Sequence, residues 1–301
     1  MLVVLCGTLP AALPWSVALA DAPAAVLRSG GQRPTAGAGL QSPEQRSTRF
    51  SAYSLPNKVW SLDTGALGVN SSELYGLLGV SRGFKHGFQL DLNLVHWGVG
   101  LFGFDVRWSF FERPHFALQV NTGFHYAHGD WIWIVGDVAH DALSNSNMVG
   151  FPVGVTATAP LTRWLQVDLV TQYQFAQSWG SFGNGSFYAD SQVGARQFYF
   201  RPTLRLFASD ATAFEFGFKL PAYTEVPVAV DSTVTVAGRT RESSRSSYVS
   251  GPFKDTWNME LGARSRLRPR LYATVRLHLG QVSKSIYGAP LYPSFTLEFR
   301  L

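Results

Sequence analysis

Charged residues are scarce in this sequence. Asp, Glu, Lys and Arg together make up 15% of its 301 residues, against roughly 25% in a typical soluble domain. The 25 basic and 20 acidic residues give a net charge of +5 and are scattered along the chain. A nucleic-acid-binding protein usually concentrates Lys and Arg in one patch or stripe. The sequence therefore predicts no nucleic-acid partner.

Cysteine and long apolar runs are also rare. Cys6 is the only cysteine, so no disulfide can form within the chain. Beyond the N-terminal segment, no apolar run reaches the about 18 residues of a transmembrane helix candidate. The Gly-rich stretch "GSFGNGS" lacks the lysine of a phosphate-binding loop. The sequence therefore predicts no helical membrane span, no cofactor and no metal site.

The N-terminal region is apolar and then becomes rich in small residues. Residues 1–20 end in Ala18-Leu19-Ala20, which has the small-x-small form of a signal-peptidase site. Residues 21–57 are rich in Ala, Gly, Pro, Ser and Gln and show no core-forming period. We therefore predict a signal peptide over 1–20, a flexible leader over 21–57 and an ordered domain over 58–301.

The ordered domain has an apolar period of two, which is typical of β-strands. In "RLYATVRLHLGQV", for example, Leu271, Val275 and Leu277 alternate with Arg276 and His278. Most segments run 10 to 15 residues, longer than a usual globular strand of about 5–6 and sufficient for the roughly 9–11 that a tilted strand needs to cross a bilayer. About twelve such segments occur: 58–67, 73–83, 86–96, 101–112, 115–129, 147–160, 163–177, 189–208, 212–226, 252–266, 270–282 and 291–301.

The linkers between these segments alternate in length. Those after even-numbered segments are tight: "FKHG", "ERPH", "PLTR", "SDAT" and "RLRPR". Those after the fifth, seventh, ninth and eleventh segments are long and occupy about 129–147, 178–188, 228–252 and 282–291. Short turns at one end and long loops at the other are typical of up-and-down barrels of the outer membrane. The pattern predicts an all-β, closed, antiparallel transmembrane barrel of about twelve strands.

In these features the sequence resembles Gram-negative outer-membrane β-barrel proteins over residues 58–301, and it is porin-like without indicating a subfamily. The resemblance rests on the signal segment, the dyad repeats, the linker alternation and the last strand "YPSFTLEFRL". It implies localisation in the cell outer membrane, contact with outer-membrane lipid and recognition of the C-terminal strand by the barrel-insertion machinery. Such barrels usually end in an aromatic residue, whereas this chain ends in Leu301 with Phe299 two places before it.

A membrane barrel turns its polar alternate positions toward the lumen, because hydrocarbon surrounds its outer face. Acidic and basic residues both occur at these positions, so we expect ion pairs across the lumen and a narrowed passage. The candidate pore-lining residues are Asp91, Asp105, Arg107, Asp168, Arg205, Glu215, Lys219, Glu260, Arg264, Arg276 and Glu298.

The sequence leaves three functions open. The first is a narrow channel for passive or facilitated diffusion of small polar solutes. The second is a non-conducting surface scaffold or adhesin that acts through its long loops. The third is an outer-membrane enzyme, which the sequence does not favour: no His-x-Ser pair occurs, and we predict no catalytic residue. An alternative fold, a soluble barrel or sandwich, would bury the apolar face instead.

Overall fold

A computed structural model describes residues 51–64, 79–94, 97, 100–128, 145–184, 187–236, 239–251, 257–280 and 291–301. The predicted signal peptide, the leader up to residue 50 and most of the predicted linkers at 129–147 and 282–291 lie outside these residues. Among the described residues, no helix is both long enough and apolar enough to span a membrane.

Nearly all the described residues belong to antiparallel strands. Their bounds are β1 (Trp60–Asp63), β2 (Gly79–Gly83), β3 (Phe88–Asn93), β4 (Leu101–Arg113), β5 (Phe116–His128), β6 (Ser146–Pro160), β7 (Leu165–Asn184), β8 (Phe187–Phe207), β9 (Thr212–Val236), β10 (Arg239–Gly251), β11 (Asn258–Arg268), β12 (Leu271–Gly280) and β13 (Leu291–Arg300). Each of the twelve predicted segments has a strand at its position, and β10 is additional.

The strands close into a ring. Consecutive strands pair from β1 to β9. Residues 212–219 of β9 then pair with β11, and β13 pairs with β1. Twelve strands therefore form the barrel. Among the described residues, β10 pairs only with residues 224–236 of β9. The prediction of a closed twelve-stranded up-and-down barrel is confirmed. Closure pairs the edge strands that an open sheet would expose, as a bilayer requires.

The two ends of the barrel differ. Tight turns at 84–87, 114–115, 161–164, 208–211 and 269–270 define what we call the short-turn end. At the opposite end, the hairpin end, β7 and β8 continue to residues 184 and 187, and β9 and β10 continue to 236 and 239. The predictions of long loops over 178–188 and 228–252 were therefore wrong, because both stretches are mostly paired strands. Strands that rise above a bilayer need no apolar face, so β10, rich in Ser and Arg, lacks the periodic signal of the other strands.

The apolar alternate positions face outward. Val275 is 52% exposed, whereas His278 on the opposite face of β12 is 2% exposed. The outer surface carries large apolar side chains on nearly every strand, including Phe110, Phe151, Leu204, Phe216 and Phe295. Charged and polar side chains fill the interior instead. This inversion of the soluble pattern excludes the water-soluble barrel, since a soluble protein this size does not expose such a contiguous apolar belt.

The chain before the first strand lies inside the barrel rather than outside it. Residues 51–55 are buried, and their contacts are made with inward-facing side chains of β3, β4 and β6. We call residues 51–56 the N-terminal strap. The sequence assigns them to the flexible leader, so the interior-bound part of the chain begins several residues before the predicted boundary at residue 58.

Candidate functional site in the barrel lumen

One wall of the lumen carries a group of buried charges that we call the ion-pair cluster. Its members are inward-facing residues of β7, β8, β9, β11, β12 and β13: Asp168, Arg201, Arg205, Glu215, Glu260, Arg264, Arg276, Glu298 and Arg300. The strand period of two places them on the inner face because their neighbours along each strand are apolar and face outward. Seven of these nine residues belong to the predicted pore-lining set, and the same alternation predicts inward positions for Arg201 and Arg300.

The cluster is organised around shared carboxylates. Glu215 accepts from Arg205 Nε at 3.1 Å and from Arg276 Nη2 at 2.9 Å. Glu298 accepts from Arg264 Nη2 and from Arg300 Nε, each at 2.7 Å. Because each carboxylate oxygen receives its own charged donor, the buried charges compensate one another locally.

These pairs follow the wall instead of crossing the lumen. Arg205 on β8 contacts Asp168 and Glu215 on its two neighbouring strands. Arg201 pairs with Glu260, and this pair skips one strand of the ring. The other ion pairs seen among the described residues have the same short range. Each joins two residues on one strand, on neighbouring strands or on strands that are separated by a single strand. Three of the pairs, Arg201–Glu260, Arg264–Glu298 and Arg276–Glu215, bridge over one intervening strand, so these charges form a layer along the wall.

A second, smaller group lies on β3, β4 and β5. Arg107 Nε is 2.6 Å from Asp91 Oδ2, and His125 Nε2 is 3.2 Å from Asp105 Oδ1. Gln89 Nε2 also donates to Asp91 at 2.7 Å. The Asp105 and His125 side chains are 25% and 19% exposed, more than any side chain of the ion-pair cluster, so water shares the solvation of these two groups. The structure thus separates the predicted residues Asp91, Asp105 and Arg107 from the larger cluster.

Lys219, the remaining predicted residue, lies on β9 between β8 and β11. Its Nζ lies 4.2 Å from the centre of the Tyr199 ring, and both side chains are buried. An ammonium over an aromatic face is stabilised by the ring quadrupole. The Tyr199 hydroxyl in turn donates to Gln172 Oε1 at 2.6 Å. Lys219 is therefore held against the wall. It lies closer to the hairpin end of the barrel than Arg205 and Glu215 do.

The N-terminal strap contacts the other side of the lumen near the short-turn end. The Ser54 amide and hydroxyl both donate to Glu112 Oε1, at 3.1 and 3.0 Å. The Leu55 amide donates to Gln89 Oε1 at 2.9 Å, and the Tyr53 hydroxyl donates to the Arg113 carbonyl at 3.0 Å. These bonds satisfy backbone groups that would otherwise be buried without partners. Sequence reasoning missed the strap because a short extended segment bound by side chains has no period.

The strap is connected to the ion-pair cluster by a continuous series of polar contacts. The Ala52 amide donates to Thr158 Oγ1 at 2.7 Å, and the Thr158 hydroxyl donates to Asp168 Oδ1 at 2.6 Å. Asp168 Oδ2 lies 3.3 Å from Arg205 Nη2. On the other flank, the Ser109 hydroxyl donates to the Ala52 carbonyl at 2.7 Å. Strap, strand wall and charges therefore form one polar layer at the short-turn end.

Two further polar residues, His278 on β12 and Ser294 on β13, line the lumen beside Glu260 of the ion-pair cluster. His278 Nε2 lies 2.7 Å from Ser294 Oγ, and His278 Nδ1 lies 3.8 Å from Glu260 Oε1. Register explains this order, because Glu260 and His278 are direct partners and Ser294 lies two residues from the Tyr292 partner of His278. Glu260 is in the predicted pore-lining set, and the alternation of their strands also predicts inward positions for His278 and Ser294. The contact between these two side chains was not predicted, since pairing across strands leaves no local sequence motif.

The geometry also defines which chemistry the lumen offers. Carboxylates and guanidinium groups are already matched, so the wall presents hydrogen-bonding groups of both signs. In the part of the chain that the structure describes, no group of three His, Cys, Asp or Glu side chains is arranged to hold a metal ion. Recognition by hydrogen bonds and charge is what such a wall can provide.

Comparisons with known proteins found similar folds only among solved structures. No protein-family description and no curated protein sequence matches the chain. The toluene transporter TbuX of Ralstonia pickettii matches with a TM-score of 0.45 and 11% identity, over 88% of this chain and 75% of that one. The toluene transporter TodX of P. putida gives 0.42 and 8%, over 83% and 68%. The outer-membrane protease OmpT of Escherichia coli gives 0.30 and 10%, over 80% and 89%.

The assignment of the fold rests on the barrel itself. Its ring is closed, its turns are short at one end, its outer face is apolar and its inner face is charged. Only a closed sheet satisfies every backbone group in hydrocarbon, and only hydrocarbon accommodates such an outer face. The chain is an outer-membrane-type β-barrel of twelve strands.

Proposed function

We propose that the protein is a narrow outer-membrane channel for small polar solutes, closed at its periplasmic end by its own N-terminal strap. The observation that carries this proposal is the polar layer at the short-turn end, where the strap is hydrogen-bonded to the inner wall. A barrel of twelve strands is wider than the eight-stranded barrels that side chains can fill. A bound segment therefore occupies space that the wall alone leaves open.

The sidedness follows from the turns. Short turns face the periplasm and longer connections face the medium in outer-membrane barrels of Gram-negative bacteria. We therefore place the short-turn end and the strap in the periplasm, and the β9–β10 hairpin at the cell surface. A solute would enter past the hairpins, pass between charged walls and meet the strap before it reaches the periplasm.

Weak charge selectivity is part of the proposal. The inner wall carries acidic and basic side chains that are paired with one another, so neither sign forms an unopposed ring. A ring of one sign is what makes a pore strongly selective for anions or cations. We therefore assign polar solutes of low charge, for which paired donors and acceptors can exchange hydrogen bonds with the solute.

Planar-bilayer recording tests the channel. The refolded full chain is expected to give rare, small current steps, and a variant that lacks residues 51–56 is expected to open more often or more widely. Persistent silence of both proteins, with heat-modifiable migration showing that each barrel is folded, would contradict the proposal.

The surface-scaffold alternative is favoured by one observation. β10 pairs with β9 on one side only, and its other edge is unpaired among the described residues. Arg239, Arg241 and Arg245 are exposed on one face of this strand. A folded but silent barrel that binds a surface, and loses that binding when residues 228–250 are shortened to a tight turn, would support the scaffold instead.

A further inference from the structure

We infer that Ser294, His278 and Glu260 form a nucleophilic acyl-transfer site in the lumen, directed at small carboxylic esters. The inference goes beyond the proposed channel and does not depend on conductance. Two contacts support it. The Ser294 hydroxyl lies 2.7 Å from one imidazole nitrogen of His278, and the second imidazole nitrogen lies 3.8 Å from the Glu260 carboxylate. A nucleophile, a base and a group that orients the base are the parts of such a site.

The strands hold these groups in a fixed arrangement. β11, β12 and β13 are consecutive in the ring, and each contributes one side chain to the inner face. Residues on paired strands have little freedom to move apart, so the serine and histidine stay within hydrogen-bond reach. Sites built on such rigid elements are positioned more accurately than sites on loops.

The acid in the arrangement is itself oriented. Glu260 is paired with the Arg201 guanidinium and accepts from Asn258 Nδ2 at 3.3 Å. These contacts fix the carboxylate beside His278 Nδ1. The 3.8 Å separation is longer than a hydrogen bond, and it can shorten when the imidazole gains a proton, as catalytic contacts commonly do only in the reacting complex.

A basic residue stands opposite the nucleophile in the sheet. Arg276 is the direct register partner of Ser294 on β12, and directly opposite residues have Cβ atoms about 4.5–5.5 Å apart. Its guanidinium also holds Glu215 at 2.9 Å, which keeps it inside the lumen. Because Glu215 lies on β9, this ion pair draws the guanidinium away from β13 and leaves the space over Ser294 to the substrate.

Ester hydrolysis at this site passes through an acyl-serine. Ser294 Oγ attacks the ester carbonyl while its proton moves to His278 Nε2, and a C–O bond to Oγ forms. The C–O bond to the alcohol then breaks, and the alcohol leaves with the proton from His278. A water molecule hydrolyses the acyl-serine, with His278 again accepting and returning a proton. The products are a carboxylic acid and an alcohol, and no redox partner is needed.

Position and burial restrict the substrate. Ser294 is the fourth residue of β13 and His278 is two residues from the end of β12, so the site lies toward the hairpin end. The strap contacts lie near the opposite end. The Ser294 residue is 6% exposed, and a site this enclosed accepts a narrow, uncharged acyl group such as a short-chain ester.

Covalent labelling tests the site on the full refolded chain. A small alkyl fluorophosphonate is expected to phosphonylate the wild-type protein once, with loss of fluoride and with the added mass on the peptide that contains Ser294. His278→Gln is expected to slow labelling by about 10²–10⁴-fold, the usual contribution of a general base. Hydrolysis of p-nitrophenyl acetate should fall with it, and Glu260→Gln should cause a smaller loss in both measurements.

Matched variants separate this activity from general loss of structure. Ser61 is a buried inner-face serine whose hydroxyl bonds to Glu298 rather than to a histidine. His125 contacts Asp105. Ser61→Ala and His125→Gln should label as the wild type does, and heat-modifiable migration should show every variant folded. No adduct at Ser294 of the folded wild type, or equal labelling of Ser294→Ala, would overturn the inference, whatever the conductance.

Discussion

Thr158 and Asp168 are joined by a 2.6 Å hydrogen bond inside the barrel, and the same threonine hydroxyl accepts from the Ala52 amide at 2.7 Å. All three residues are fully buried. One hydroxyl therefore connects the N-terminal strap to the charged wall. Because it uses both its donor and its acceptor, no isosteric apolar side chain can replace it.

Thr158→Val should loosen the strap while keeping the shape of the wall. The change leaves the Ala52 amide and one Asp168 oxygen without this partner, and a buried group left unsatisfied costs about 1–3 kcal/mol. We expect the free energy of unfolding in urea, followed by tryptophan fluorescence in lipid vesicles, to fall by that amount. We also expect residues 51–56 to become accessible to protease.

Thr171→Val is the control for this change. Thr171 lies on β7 as Thr158 lies on β6, but its hydroxyl bonds to the Val155 carbonyl on the outer surface. Loss of this hydroxyl leaves no buried donor without a partner. The free energy of unfolding should therefore stay within about 0.5 kcal/mol of the wild-type value, and protease resistance should be unchanged. Equal effects of the two substitutions would mean that the strap is not held by Thr158.

Gly83→Ala tests the strap sterically. A Cβ at Gly83 would lie 2.2 Å from the Pro56 carbonyl oxygen and 2.4 Å from that of Leu55. Backbone cannot yield at such distances, so the strap must leave its site, whereas the barrel itself keeps its pairing. In planar bilayers we expect Gly83→Ala to increase the open probability or the step size over wild type.

Gly79→Ala provides the matched substitution on the same strand. A Cβ there meets only the Asp63 side chain, at 3.9 Å, an ordinary contact. Its conductance should equal that of the wild type. If Gly83→Ala remains as closed as Gly79→Ala although protease removes its strap, the strap is not what occludes the lumen.

The sequence predicted the barrel because its physical cause is repeated along the chain. Each membrane-crossing strand must present apolar side chains to lipid, as Val275 and Leu277 do, so the same alternation recurs from strand to strand. The β9–β10 hairpin escaped prediction because no lipid faces it above the membrane. In its place the sequence suggested a loop, since a Ser- and Arg-rich strand lacks the apolar half of the pattern.

The inner-face residues were predictable in kind but not in arrangement. Alternation alone puts Arg205, Glu215 and Glu298 on the inner face of their strands. Which of them touch depends on register and on the stagger of the ring, and neither can be read from one strand at a time. Two contacts depend on this long-range arrangement: that of His278 with Ser294 and the hydrogen bond from Ser54 to Glu112.

Arg205→Met should be strongly destabilising. The Arg205 side chain is 1% exposed and lies between Asp168 and Glu215. Removal of one partner leaves two buried carboxylates with fewer compensating charges, which typically costs about 3–5 kcal/mol. The urea midpoint should shift accordingly. Arg196→Met supplies the comparison, because that side chain is 45% exposed and its loss should cost about 1 kcal/mol or less.

Val275→Arg tests the outer face directly. Val275 lies in the middle of β12 and is 52% exposed. An arginine on the lipid face costs about 2–4 kcal/mol near the bilayer midplane and about 0–1 near the interface. We expect the free energy of unfolding in phosphatidylcholine vesicles to fall by the midplane amount, about 2–4 kcal/mol. The free energy of unfolding in detergent micelles should change less. Val275→Leu, which keeps the face apolar, should fold as the wild type does. A Val275→Arg protein that folds with unchanged stability in vesicles would mean that this face does not contact hydrocarbon.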